Sequence, residues 1–285
     1  MLDLHIHSTF SDGTLTPAEI IEEAEKCCIK GIALTDHDTV AGNSEFLETG
    51  KSSPVVTIAG VEISADFSHP EESVNHGEMH ILGYFPDWNV DTEKALAPLS
   101  EIRKNRELRN PIIIEKLKEL GCDISYEDVQ DFANNDVIGR PHIAAVLEKN
   151  GYVKNFREAF DKFLSKNAPA YVPKQIFSTE TAISLIKDSD GIPVLAHPGS
   201  LKIINDGKFR WFLEFLIDCG LKGIEAYCLG QSESETCRYL SFADQYDLII
   251  TGGTDFHGSH KPDIKLGSGF GNLRVPDSCL ENICR

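Results

Sequence analysis

Six imidazoles and three carboxylates stand where a sheet could deliver them to one place. In His5-Ile6-His7 the two imidazoles share one face of an extended strand, because side chains alternate with period two, and Asp12 follows in the next loop. Thr35-Asp36-His37-Asp38, Gly60-Val61-Glu62 and Ala196-His197-Pro198-Gly199 each close a short apolar run, and Thr254-Asp255-Phe256-His257 follows another. His80 lies near the start of a further run, Met79–Tyr84. A lone histidine at a strand end is ordinarily satisfied by one hydrogen bond and does nothing else. Six of them interleaved with acids make little sense without cations. The expected metal ligands are His5, His7, Asp12, His37, Glu62, His80, His197, Asp255 and His257. Imidazole and carboxylate without thiolate favour Zn, Mn or Fe over Cu(I) or iron–sulfur. Nine donors exceed the needs of one ion and suit two or three divalent ions, with Glu62 in the middle as a candidate bridge.

Other residues carry two readings each. Asp36 or Asp38 either holds a ligating imidazole from behind or caps the next helix. His69, His76 and His260 lie in polar loops and read as solvated surface. Gly139-Arg140-Pro141-His142 opens a helix. Arg140 there either forks onto a phosphate, helped by the helix start, or pairs with an acid such as Asp136.

Seven short apolar runs would carry these residues: Leu2–His7, Gly31–Thr35, Val55–Val61, Met79–Tyr84, Ile192–Ala196, Gly223–Tyr227 and Leu248–Thr251. Each is bounded by turn formers, as buried strands are. Helical patterns separate several of them. Thr16-Pro17-Ala18-Glu19 combines a capping Thr, a Pro at the first helical position and a Glu that can reach back. Ile20, Ile21, Ala24, Cys27 and Cys28 then share one face. This alternation predicts a parallel α/β sheet, open or closed into a barrel, whose strand ends gather on one rim. Residues 98–168 depart from it, with helical segments over Ile102–Leu120, Ser125–Ala133, His142–Lys149 and Phe156–Leu164. They read as a helical insertion between a first barrel part, 1–97, and a second, 169–285. One more short strand fits the Gly-rich stretch after Gly267.

The chain has 285 residues, 41% hydrophobic and 25% charged, a globular mix. Its net charge of −18 disfavours extended duplex nucleic acid. A short nucleotide is still compatible if cations reverse the local sign. No apolar run approaches the roughly 18 residues of a membrane helix, and strand-like sequence at the start leaves no room for a signal peptide. The eight cysteines form no C-x-x-C and read as reduced thiols of a cytoplasmic protein.

Taken together, His5-x-His7, Thr35-Asp36-His37, Gly60-Val61-Glu62, His197-Pro198 and Asp255-x-His257 resemble, in order, the motifs of the PHP (polymerase and histidinol phosphatase) family of metal-dependent phosphoesterases. The likeness runs from Leu2 to about Phe270. Asp12-Gly13-Thr14-Leu15-Thr16-Pro17, Ala170-Tyr171-Val172-Pro173 and the helical insertion resemble the branch of nucleoside 3′,5′-bisphosphate phosphatases and the 5′–3′ exoribonuclease acting on short RNA. The resemblance implies a distorted seven-stranded β/α barrel and a trinuclear centre built from the nine residues named, with manganese foremost and zinc or iron as alternatives. It also implies that Arg140 and His142 face the substrate phosphate, and the expected mechanism is attack on phosphorus by a metal-activated hydroxide. The run Cys228-Leu229-Gly230-Gln231-Ser232 departs from relatives that carry His and Pro near the nucleoside region. The competing readings are a histidinol phosphate phosphatase, an exonuclease on short RNA and a non-catalytic metal-binding module. A deaminase-type amidohydrolase is a fourth, but it wants a lysine at a strand end and none stands there.

Overall fold

The computed structural model describes residues 1–66, 79–133, 139–173 and 176–284. His69, His76 and Asp136 lie outside the described residues. Two compact units emerge, Met1–Pro98 with Ile176–Arg285 and Leu99–Gln175.

The first unit is built on one sheet of β1 (Leu2–Ile6), β2 (Gly31–Leu34), β3 (Val56–Asp66), β4 (Met79–Phe85), β5 (Phe177–Ser178), β6 (Ile192–Leu195), β7 (Gly223–Cys228) and β8 (Ile249–Gly253). Seven strands follow one another in the order β1-β2-β3-β4-β6-β7-β8, while β5 adds two residues to the far end of β3. Just past β8 the sheet nearly closes on β1. Phe256 bridges Ile6, and the His7 N–H donates to the Phe256 carbonyl at 2.9 Å. The fold is thus a distorted seven-stranded α/β barrel.

Two cores hold it. Ile6, Ile32 and Leu34 of the first strands pack against Ile20, Ile21 and Ala24 of the helix Pro17–Lys26 and Phe46 of the helix Asn43–Gly50. The first helix starts where its sequence says it should. The Thr16 side chain accepts from the Glu19 N–H, and the Glu19 carboxylate accepts from the Thr16 N–H at 2.8 Å. The second core takes Leu2, Leu4, Ala33, Ile58, Leu82, Tyr84 and Val194 from five strands, some of them not neighbours in the sheet, so it fills the barrel. Cys279 and Ile283 of the helix Ser278–Ile283 join it. An added Cβ on Gly31 would meet Leu280 at 2.9 Å, so this helix closes the end where β2 begins.

Four expectations need correction. The sheet is not wholly parallel: β4 runs antiparallel to both β3 and β6. β3 does not close at Glu62 but continues to Asp66, because β4 pairs with it as far as Ala65. β5 escapes the reading because two residues carry no periodicity. The last segment holds a helix at Ser278–Ile283 and, among the described residues, no further strand.

The second unit contains helices Leu99–Glu119, Tyr126–Ala133, Arg140–Lys149 and Phe156–Ala159, the last running on as a wider turn over Phe160–Leu164. Ile113, Leu117, Ile124, Val129, Ile143, Leu147 and Leu164 form its own core.

Candidate metal centre

Each strand end presents its chemistry for a local reason. β1 slips register against β2 between Asp3 and Ile6. Asp3 and His5 serve different neighbours: the Asp3 carboxylate accepts from Thr254 and Gly267, while the His5 ring meets Glu62 and Glu225. The loop carrying Asp12 is clamped from behind. Asp36 accepts from the Ser8 N–H at 2.7 Å, the Ser8 hydroxyl at 2.6 Å and the Ser11 hydroxyl at 2.5 Å. Gly13 turns against His7, whose carbonyl oxygen would lie 2.2 Å from an added Cβ, so no larger residue fits. Asp38 accepts from the Ser64 N–H and hydroxyl, tying the loop after β2 to β3. Neither acid caps the next helix, whose cap is Gly42; both hold backbone beside ligating residues.

The antiparallel direction of β4 decides the place of His80. It pairs with Ser64 near the end of β3, and its carbonyl accepts from the Ala196 N–H, beside His197. In a wholly parallel barrel a residue at a strand start would face the opposite rim.

Glu62 is fully buried at the middle of the group. Its Oε1 lies 2.8 Å from His80 Nδ1 and 2.9 Å from His197 Nε2. Its Oε2 lies 2.9 Å from His37 Nδ1 and 3.2 Å from both His5 Nε2 and His7 Nε2. Asp255 Oδ1 is 3.2 Å from His7 Nε2, and Asp12 Oδ1 is 3.4 Å from His257 Nε2. Among the described residues the potential ligand atoms gather into three groups: His7–Asp12–His37–His257, His5–His7–Glu62–Asp255 and His37–Glu62–His80. Any two of these groups share one residue, His7, His37 or Glu62. His197 joins through its contacts to Glu62 and to His80, 3.2 Å away.

The donor set fits divalent cations. His5 Nε2, His7 Nε2, Asp12 Oδ1, His37 Nδ1 and Glu62 Oε2 are buried and make no hydrogen bond. One such atom costs about 1–3 kcal/mol, and five at one place call for a common partner. The tautomers agree. His5 Nδ1 lies 3.0 Å from Glu225 and His257 Nδ1 lies 2.7 Å from the Asp255 carbonyl, both acceptors. In the neutral ring each Nδ1 therefore carries the proton, which leaves each Nε2 lone pair turned inward for a cation. Burial opposes charge on every group here, yet the neighbours prevail at most of them. The imidazoles of His37, His257 and His7 hold the Asp12 carboxyl well below its usual range. Glu62 and Asp255 are lowered in the same way. The Glu62 and Glu225 carboxylates drive His5 well above its ordinary value, and His37 and His197 are also raised. His80 is lowered, because burial with His37 and His197 alongside outweighs Glu62.

All nine predicted ligands are thus brought together. His260 is exposed, its Nδ1 3.0 Å from the Asp12 carbonyl. Arg140 and His142 lie in the helical unit. Arg140 donates to the Leu164 carbonyl at 3.3 Å and stands 5.9 Å and 5.8 Å from the Phe160 and Tyr171 rings. His142 is buried, and its Nδ1 accepts from the Gly139 N–H at 3.1 Å, closing the start of its own helix. Sequence reasoning missed Glu225, Asp3 and Lys261. Glu225 had a readable signal, a carboxylate inside the apolar run Gly223–Tyr227. Lys261 binds Asp255 Oδ2 at 2.7 Å from six residues downstream and offered none.

Comparison with known proteins agrees with this geometry. The PHP domain matches residues 3–156. The chain is 32% identical over 258 residues to the 3′,5′-nucleoside bisphosphate phosphatase of Chromobacterium violaceum, covering 90% of this chain and 87% of that one. It is 33% identical over 269 residues to the 5′-3′ exoribonuclease Rnm of Escherichia coli, covering 93% and 87%. It is 30% identical over 261 residues to the phosphoribosyl 1,2-cyclic phosphate 1,2-diphosphodiesterase of Eggerthella lenta, covering 90% and 94%. A crystal structure of a protein described as a metal-dependent phosphoesterase from Bifidobacterium adolescentis superposes with a TM-score of 0.80 at 30% identity, covering 99% of this chain and 94% of that one. The chain belongs to the PHP family of metal-dependent phosphoesterases.

Proposed function

We propose that this phosphoesterase hydrolyses a phosphomonoester of a small nucleotide, converting a nucleoside 3′,5′-bisphosphate to the nucleoside 5′-monophosphate and phosphate. The observation that carries the reading is the sharing of His7, His37 and Glu62 among three ligand groups. Groups so linked would hold two or three ions, manganese foremost, next to one another, with His5, His80, His197, Asp12, Asp255 and His257 completing the set. Bound divalent ions lower the pKa of water towards neutrality, hold phosphate oxygens and offset charge on the leaving oxygen.

The protein's own residues do the rest. Asp12, Glu62 and Asp255 supply three negative charges, and the imidazoles stay neutral donors once cations replace their protons. Six positive charges from three divalent ions would leave the site cationic inside a chain of net charge −18, which suits a small anion. The family resemblance assigns Arg140 and His142 to the substrate phosphate, and for Arg140 the chemistry agrees: a planar guanidinium matches two phosphate oxygens at once. Within the helical unit the Leu164 carbonyl and two aromatic rings brace that side chain. The 32% identity to a bisphosphate phosphatase supports the substrate class. The 33% identity to an exoribonuclease supports a second reading, removal of 5′ nucleotides from short RNA. Eight free thiols suit a reducing cytoplasm.

The test is phosphate release from adenosine 3′,5′-bisphosphate with Mn²⁺, before and after chelation, beside di- and trinucleotides and histidinol phosphate. Release from the bisphosphate should stop on chelation and return with Mn²⁺. Release that survives complete metal removal would refute the mechanism, and preference for histidinol phosphate would refute the substrate. Arg140→Ala should lower turnover and leave the metal content unchanged; lost metal would show that Arg140 is misassigned.

A further inference from the structure

We infer that Glu225, on β7, is a positioning residue that makes His5 and His197 fit to hold metal together; this rests on the metal-dependent reading above. Glu225 is fully buried at a depth where a carboxylate is found only with partners. It has two, one for each oxygen. Oε1 lies 3.0 Å from His5 Nδ1, and Oε2 accepts the backbone N–H of His197 at 2.6 Å. One side chain on β7 therefore reaches a ligand at the end of β1 and another just past β6.

The two contacts do different work. A carboxylate only accepts, so neutral His5 must present its Nδ1 proton to Glu225 and its Nε2 lone pair to the Glu62 and Asp255 side of the site. At His197 the contact is to the main chain, where the backbone is unusual. His197 has φ 26° and ψ 63°, a conformation that non-glycine residues rarely adopt. The bond from its N–H to Glu225 fixes that turn, and the turn aims Nε2 at Glu62, 2.9 Å away. Ser200 then holds the other ring nitrogen at 2.9 Å.

Counting donors and acceptors makes the idea testable. Glu225→Gln keeps the shape but leaves one acceptor oxygen for two donors. If the amide oxygen stays with His197, the amide nitrogen faces His5 Nδ1 and forces the proton to Nε2, where metal should bind. If it stays with His5, the His197 N–H is buried against a donor and the turn is released. Either way one ligand is lost. A residue that merely fills space would tolerate the exchange.

The measurements are Mn²⁺ stoichiometry and affinity for the full chain, by competition with a chromophoric chelator, and ¹⁵N NMR of the His5 ring in the metal-free protein. Glu225→Gln should keep the wild-type circular dichroism spectrum and bind Mn²⁺ about 10–100-fold more weakly. Wild-type His5, when neutral, should carry its proton on Nδ1. Wild-type Mn²⁺ affinity in Glu225→Gln would overturn the role of Glu225 and leave the metal reading standing. A wild-type chain that binds no Mn²⁺ would overturn the metal reading and this inference with it. If the variant does not fold, the wild-type tautomer decides: a proton on Nε2 of neutral His5 overturns the inference.

Discussion

Glu62→Gln should strip the centre of a definite number of ions. Glu62 approaches five imidazoles, His80 and His197 through Oε1 and His5, His7 and His37 through Oε2, at 2.8–3.2 Å. It belongs to two of the three ligand groups, and the third, His7–Asp12–His37–His257, does not contain it. Glutamine keeps the volume, removes the charge and turns one ligating oxygen into an amide donor. Two sites should therefore fail and one survive. If the wild type carries three ions after dialysis against Mn²⁺, the variant should carry one. On the proposed mechanism, bound ions would activate the attacking water. Its loss should slow phosphate release by about 10²–10⁴-fold, the usual worth of positioned acid–base chemistry. Elemental analysis of dialysed protein, set against chain concentration, gives the count, and phosphate release gives the rate. A variant that still holds three ions and turns over at the wild-type rate would refute the placing of Glu62 at the centre. A variant that holds none would refute the independence of the third group.

Two further outcomes follow from the same geometry. Chelation should lower the melting temperature of the wild type. At Mn²⁺ a hundredfold above Kd, each occupied site adds about 2.7 kcal/mol, or about 4–5 °C for a chain of this size; a midpoint unmoved by chelator and Mn²⁺ would contradict a resident metal. Asp3 gives a pH signature. Burial pushes its carboxyl up from 3.8 to about 6 despite hydrogen bonds from Thr254 and Gly267. A folded pKa above the unfolded one stabilises the protein fully below pH 3.8, and that stabilisation is gone once the pH passes 6. From pH 7 to pH 5 metal-free wild type should gain about 1.3 kcal/mol from this group, relative to Asp3→Asn. Urea titrations of both proteins at the two pH values measure it, and parallel changes would show that Asp3 does not titrate there.

The ligands were legible because their kinds are rare at strand ends and their runs are local. His5-x-His7 lies at the end of an apolar segment of four to seven residues that reads as a strand on its own, and Glu62 and Asp255-x-His257 follow such segments. What decides β4, by contrast, is pairing. Met79–Phe85 looks the same in either direction, and only its neighbours β3 and β6 make it antiparallel. The continuation of β3 through Ile63-Ser64-Ala65 is hidden for the same reason, since Ser64 belongs in a strand only because Asp38 and His80 meet it. Asp36 and Asp38 stood between two roles because a cap is a local event, whereas the hydroxyls that they bind are 25 to 28 residues away. The partners of Asp3 and Glu225 were out of reach, 251 and 220 positions distant, although a carboxylate inside the run Gly223–Tyr227 did mark Glu225 itself.

Those distant acids explain how a strained rim survives. Asp38, His197 and Asp255 have positive φ, at 53°, 26° and 53°, and such residues cost of order 1–3 kcal/mol each. Each lies beside a buried carboxylate contact. Asp38 binds Ser64, Glu225 binds the His197 N–H, and Asp3 binds Thr254 just before Asp255. The inward atoms left without hydrogen bonds add to the cost. A metal-free chain carries this burden unrelieved, whereas cations would satisfy the lone pairs and neutralise the acids together. Metal binding and stability at this rim should therefore be one linked equilibrium. On that view the carboxylates behind the ligands hold a geometry whose cost only bound ions can offset.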